Sequence, residues 1–444
     1  MKTRRVATIL AILLAARAVP GGLAAADLGA SDFDRIIGKE YASLDSLYRD
    51  LHARPELSLH EQETARRIAS ELKATGFEVT TGVGGNGVVA VLRNGRGPTV
   101  MWRSDLDALP VKEETGLTYA STVTATDDTG RQVPVMHACG HDIHMTTLIG
   151  LARGLKALQA RWSGTVVLIG QPAEERVLGA EAMIKDGLFT RFPRPDFVLG
   201  MHVKADLPVG VVGYRAGPAF ANVDSVDVRV YGRGGHGSTP HLTVDPIVIA
   251  ARIVLALQTI VAREIDPIEP AVITVGSIHG GTKHNIIPDT VDLQLTVRSY
   301  TDETRNKLLE GIRRNIAAEA EGAGAPKPPD VTVGESTPAT VNDPALVERT
   351  VAALKKTLGD DRVTEVPPIM GSEDFTYYGR AGIPAFIFNL GTIAPERLEA
   401  SRLPGGRPLP SLHSSQYAPQ REGSIRGGVR ASLAAVLGLL GTPS

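Results

Sequence analysis

Three histidines, a cysteine and an aspartate fall within eight residues at His137-Ala138-Cys139-Gly140-His141-Asp142-Ile143-His144. Each such group, once buried, needs its own polar partner, so a packed core is a poor setting for them. A divalent cation is a better explanation, because thiolate and imidazole are its common protein ligands. Cys139 and His141 are two apart and in an extended segment would face the same side. Cys139 is also the single cysteine of the 444 residues, so no internal disulfide can form. It is either a small buried hydrophobe or a reactive or metal-bound thiol.

Three further segments offer compatible groups. Gln171-Pro172-Ala173-Glu174-Glu175 follows the apolar run Thr165–Gly170. Neighbours in an extended stretch point opposite ways, so one glutamate can bind metal while the other faces a water as general base. Alone, this pair reads better as a solvated acidic turn. Ser104-Asp105-Leu106-Asp107-Ala108-Leu109-Pro110 ends the run Thr99–Arg103, and Phe197-Val198-Leu199-Gly200-Met201-His202 ends on a histidine. In parallel α/β sheets, sites form at the carboxyl ends of strands. Several strand ends delivering metal-compatible groups are hard to explain as packing.

Those strands sit in an alternating pattern. Helical periodicity covers Phe33–Asp50, His60–Thr75, Met145–Leu158 and Gly179–Asp186, with β-type runs between them. This predicts an α/β fold: a three-layer α/β/α catalytic domain with a mostly parallel sheet. From Val223 the pattern becomes strand, helix (Pro246–Ala262), strand, strand, helix (Glu303–Glu321), strand. That is the order of a ferredoxin-like α+β unit. Helix–strand alternation then resumes and ends in a helix at Ile425–Leu440. The expected organisation is a catalytic domain over residues 27–215 and 338–444, interrupted by an inserted domain over 216–337. Gly82-Val83-Gly84-Gly85-Asn86-Gly87 matches a dinucleotide-binding fingerprint, but a β-type run follows it where that motif requires a helix. We read it as a glycine-rich turn.

Taken in order, Asp105–Pro110, His137–His144, Pro172–Glu175, Gly200–His202, Gly234–His241, Asn285–Pro288, Gly371–Phe375 and His413 resemble the zinc aminoacylase-like metallopeptidases. The similarity is greatest to the branch of hippurate hydrolases and indole-acetyl-amino-acid hydrolases. The resemblance implies two divalent metal ions held by Cys139, His141, Glu175, His202 and His413, with Glu174 as general base. It implies that Asp107 orients a ligand from the second rank. Many relatives carry a histidine at the place of Asp105, which is therefore not counted as a ligand. It further implies that His236, within Gly234-Gly235-His236-Gly237, stabilises the oxyanion, often in a partner subunit's site, and that Asn285 and Arg298 bind substrate. A glycine-flanked loop histidine without a role is the plainer reading of His236. The implied reaction is hydrolysis of N-acyl amino acids, with dipeptidase or carboxypeptidase activity on the same site as the alternative. A non-catalytic protein that binds conjugates would have lost Glu174 or a ligand. Sulfur ligation favours zinc over magnesium or calcium, with manganese, cobalt or nickel able to substitute.

Composition narrows the setting. Hydrophobic residues make up 43% and charged residues 22%, which excludes disordered and fibrous classes. The formal net charge of −2 and the lack of basic blocks argue against a nucleic-acid partner. Lys2, Arg4 and Arg5, the apolar run Val6–Ala16 and Ala24-Ala25-Ala26 predict a signal peptide over residues 1–26 and a periplasmic or secreted product. No later segment reads as long and apolar enough to span a membrane, and a homodimer built through the inserted domain is expected.

Overall fold

A computed structural model describes residues 29–443; the expected signal peptide lies outside them. Eight strands form the main sheet, in the spatial order 78–83, 87–94, 164–171, 99–105, 197–208, 385–393, 212–214 and 363–365. Its centre, from Gly164–Gln171 through Thr99–Asp105 and Phe197–Pro208 to Ala385–Ile393, is parallel. Antiparallel strands extend it at both sides.

The period-two side-chain alternation of the strands divides the core. Val88, Ala90, Val100, Trp102, Val166 and Leu168 face one helical layer, with Ile37, Leu44, Leu148, Leu155, Val429 and Leu433. Val89, Val91, Met101, Val167 and Ile169 face the other, with Ala180, Met183, Phe375 and Tyr378. Both faces are covered, as a parallel sheet requires, and this explains the near-continuous apolar runs in its strands. Gly82–Gly87 is the turn of a hairpin between Glu78–Val83 and Gly87–Asn94, with no helix behind it.

A second sheet orders its strands as Ala271–Gly280, Thr290–Ser299, Val223–Tyr231 and Asp330–Thr337, all antiparallel. Helices Pro246–Arg263 and Asp302–Gly322 cover it around a core of its own. The connectivity and order are those of the ferredoxin-like unit. The chain enters and leaves through Gly217–Phe220 and Thr340–Asn342, which pair with each other antiparallel.

One expectation is corrected. Helix Pro246–Arg263, with 18 residues and a mean hydropathy of 1.7, is long and apolar enough to cross a membrane by length and composition. Ile249, Ile253, Leu257 and Ile260 point into the inserted domain's core, while Val248 and Leu255 are exposed. Apolar residues on both sides of the helix, rather than one long unbroken run, account for the oversight.

Candidate active site

The register of the parallel strands lines up one row of residues. Asp105 pairs with Gln171, Arg103 with Gly200, and Asn389 with His202. Beyond this row the chain leaves the sheet and builds a cavity of about 650 Å³. Cys139, Glu174, Glu175, His202, Arg298 and His413 all line it.

Two local geometries differ from the extended segments expected. Gly140 has φ 77°, and the helix His141–Ala157 starts immediately after it. A tight turn, not a strand, therefore presents Cys139 and His141 together. A Cβ at Gly140 would also come within 2.7 Å of Val203, so both conformation and space demand glycine. Glu174 and Glu175 likewise lie in a turn, entered through Ala173 at φ 49°. A positive φ at a non-glycine residue is strained and persists where surrounding contacts enforce it. Here the buried Glu61 carboxylate accepts the Ala173 N–H at 2.8 Å.

Sγ of Cys139 lies 3.5 Å from Nε2 of His202 and 3.3 Å from Nε2 of His413. Oε1 of Glu175 lies 3.5 Å from His413 Nε2 and 3.8 Å from His141 Nε2. Two donor triads result, Cys139–His141–His202 and Cys139–Glu175–His413, and they share the sulfur. Asp107 stands behind them. It accepts from Ser58 Oγ at 2.7 Å and from the Glu175 N–H at 3.0 Å, while its carbonyl oxygen contacts His141 Nδ1 at 2.8 Å. Both oxygens of Asp105 are taken, by Arg103 and His144, each within 2.7 Å.

The electrostatics are those of a cluster short of positive charge. Burial, then the Glu373 and Glu175 charges, push the Glu174 carboxyl well above the usual carboxylate range. Burial lifts Glu175 to about 7, and lifts the Cys139 thiol with help from both glutamates. For His141, Asp105 and Asp107 outweigh the opposing effect of burial and raise it to about 10. His141 Nε2, Glu175 Oε1 and Asp107 Oδ1 are buried and have no hydrogen-bond partner. Orphaned imidazole and carboxylate atoms beside the Cys139 sulfur are what divalent cations take, so the residues present fit them.

Not every expected residue reaches the cavity. His236 and Asn285 sit on a ribbon of the inserted domain, where Gly235–His236 pairs with Ile286–Ile287. Both are exposed and neither lines the cavity; the ribbon pairs apart from the four-stranded sheet, and the site of their own chain lacks them. His236 Nδ1 instead accepts from Ser238 N and Oγ, at 3.0 and 2.7 Å. Arg298, on the inserted domain's strand, does reach the cavity.

Sequence reasoning missed the support behind Glu174. Arg103, fully buried, donates to Asp105, Glu373 and Asp374 at 2.7, 2.8 and 3.0 Å. Gln171 also donates to Asp374 and accepts from Tyr378. A charged residue inside the apolar strand Thr99–Asp105 was the available signal. A buried arginine there requires carboxylate partners.

From residue 101 to residue 401 the chain matches the model of peptidase family M20/M25/M40. It is 39% identical over 349 residues to thermostable carboxypeptidase 1 of Saccharolobus solfataricus, covering 78% of this chain and 84% of that protein. It is 34% identical over 394 residues to IAA-amino acid hydrolase ILR1-like 2 of Arabidopsis thaliana, covering 85% and 86%. Among solved structures, the YXEP protein of Bacillus subtilis, a dinuclear metal binding peptidase, superposes with a TM-score of 0.71 at 30% identity, covering 90% of this chain and 98% of that one. Agreement of this extent in sequence and fold makes the chain a member of peptidase family M20/M25/M40 and a metal-dependent hydrolase of amide bonds.

Proposed function

We propose that the protein removes the acyl group from N-acyl amino acids, with two divalent cations, zinc in the first instance, held by Cys139, His141, Glu175, His202 and His413. The observation carrying this reading is that Glu174 opens onto the same cavity as four of those donors and the Arg298 guanidinium. Bound there, the cations would lower the pKa of a water and polarise the scissile carbonyl. Glu174 takes the water's proton and returns it to the leaving nitrogen. Arg298 holds the substrate carboxylate. Its Nη1 donates to the Met370 carbonyl at 2.6 Å, and among the described residues no carboxylate pairs with it. Asp107 fixes His141 and Glu175 in place. Cys139, common to both donor triads, would supply its thiolate as a ligand to the cations.

The acyl-amino-acid reading draws on the resemblance to IAA-amino acid hydrolases; the carboxypeptidase relative supports peptide hydrolysis as the second reading. Hippurate and N-acetyl amino acids assayed beside unblocked dipeptides, on zinc-loaded protein, separate the two. Faster cleavage of the dipeptides would reverse our choice, and a chelator should abolish either activity.

Two further parts of the reading concern setting. The exposed apolar residues Leu242, Ile247, Val248, Leu255 and Ile278 on the inserted domain suit a homodimer in which His236 serves the partner's oxyanion. An active monomer by light scattering would end that role. Residues 1–26 act as an export leader, which fractionation of expressing cells checks.

A further inference from the structure

We propose that Lys204 selects substrates carrying a second carboxylate. This rests on the acyl-amino-acid reading above and makes it more specific.

Lys204 lies on the strand Phe197–Pro208, two residues after His202, so both side chains leave the same face of the strand. Their origins are about 7 Å apart at the strand's rise per residue. Both line the main cavity. The lysine backbone is fixed: it pairs with Gly391, and its carbonyl accepts from Thr392 Oγ1 at 3.2 Å. The side chain is only 16% exposed and lines the same cavity as the metal donors.

Its partner is weak. Among the described residues the ammonium pairs with Asp206 alone, at 3.2 Å, and that carboxylate is 65% exposed. Attraction to a solvated carboxylate is partly screened, so an anion entering the cavity can compete with Asp206 for the ammonium. Holding a largely buried ammonium costs free energy unless an anion compensates it. The α-carboxylate of the substrate is already assigned to Arg298, which comes from the inserted domain. Lys204 comes from the catalytic domain, so the cavity has two separately mounted cations. A monoanionic N-acyl amino acid satisfies one of them. A dianionic one satisfies both.

The second carboxylate can belong to the amino acid, as in acyl-glutamate, or to the acyl group, as in a succinyl amide. Two matched pairs separate these sources: N-acetylglutamate against N-acetylglutamine, and N-succinylleucine against N-succinamoylleucine. On zinc-loaded full chain, the acidic member of one pair should show a kcat/KM about tenfold above its neutral mate, equivalent to about 1.4 kcal/mol. Whichever pair shows the preference names the source. In Lys204→Met the ratio should fall to about one, and in Lys204→Glu it should invert. A variant that is merely misfolded lowers both members together and leaves the ratio alone.

Equal rates within both pairs for the wild type, or a preference that survives Lys204→Met, would overturn this inference while leaving the acyl-amino-acid reading intact. Failure to cleave any of the four compounds while hippurate is cleaved would overturn this inference alone, and failure on hippurate as well would remove that reading with it.

Discussion

Nε2 of His413 lies 3.3 Å from Sγ of Cys139, although 274 positions separate them in the chain. The N–H of His413 also donates to the Ala138 carbonyl at 2.9 Å, so backbone and side chain are tied to the same turn. His413 has φ 65°, a conformation that the contact must sustain. The side chain is nevertheless half exposed, on the cavity rim. His413→Ala should therefore leave the fold intact and reduce bound metal from two ions per chain to one. Turnover should fall by more than the roughly 10–100-fold typical of losing an outer-shell partner. Elemental analysis with parallel assays measures both. Unchanged metal content would remove His413 from the ligand set.

Glu174→Gln preserves shape and removes the proton acceptor. Metal content should stay at the wild-type value while kcat drops by roughly 10²–10⁴, the usual contribution of a positioned acid–base group. A rate within a few-fold of wild type would mean another group moves the proton.

Asp107→Ala should weaken metal binding about 10–100-fold without replacing any donor atom. Glu175 loses the carboxylate that accepts its N–H and His141 loses the carboxylate oxygen 3.4 Å from its Nδ1, while the backbone carbonyl contact to His141 remains. Titration against a competing chelator reads this directly. Circular dichroism should match wild type. A wild-type chelator titration would restrict Asp107 to packing.

A buried triad outside the cavity gives a pH prediction. His52 Nδ1 lies 2.6 Å from Asp142 and Nε2 lies 3.0 Å from Glu113. Burial opposes charging of His52, but the two hydrogen bonds and carboxylate charges outweigh it and raise the imidazole to about 10. A pKa raised above its unfolded value contributes stability that is fully present below about pH 6.5. It is lost as the pH climbs through 10. Thermal stability should accordingly decline between pH 7 and 10. His52→Ala, which strands two buried carboxylates, should cost about 3–5 kcal/mol at neutral pH and flatten that decline. Parallel curves for the two proteins would show that the imidazole is not charged.

Cys139, His141, Glu175 and His202 were legible as candidate donors because their residue types are costly to bury without a purpose and because strand ends are where such sites form. How they converge was not. Spacing suggested extended segments, whereas Gly140 and Ala173 turn the chain through positive φ, which a pattern of apolar residues does not encode. The Arg103 cluster was hidden because its partners, Glu373 and Asp374, arrive from 270 residues away. His236 shows the opposite limit: a motif identifies a histidine without fixing which site it faces. In the fold, alternation with period two separated the two core faces of the sheet. The helix Pro246–Arg263 was expected as a helix, but that it is long and apolar enough to cross a membrane was not, because its apolar residues lie on both its buried and its exposed sides.

Because Gly217–Phe220 and Thr340–Asn342 run side by side, residues more than a hundred positions apart in sequence are neighbours at the joint. The α/β body is continuous through that joint, and the inserted unit hangs from it by two adjacent threads. Excising the unit and splicing the threads would leave every sulfur, imidazole and carboxylate donor where it stands. Of the residues lining this chain's own cavity only Arg298 would go with it, so the candidate metal donors and the candidate carboxylate-binding guanidinium are mounted on separate segments.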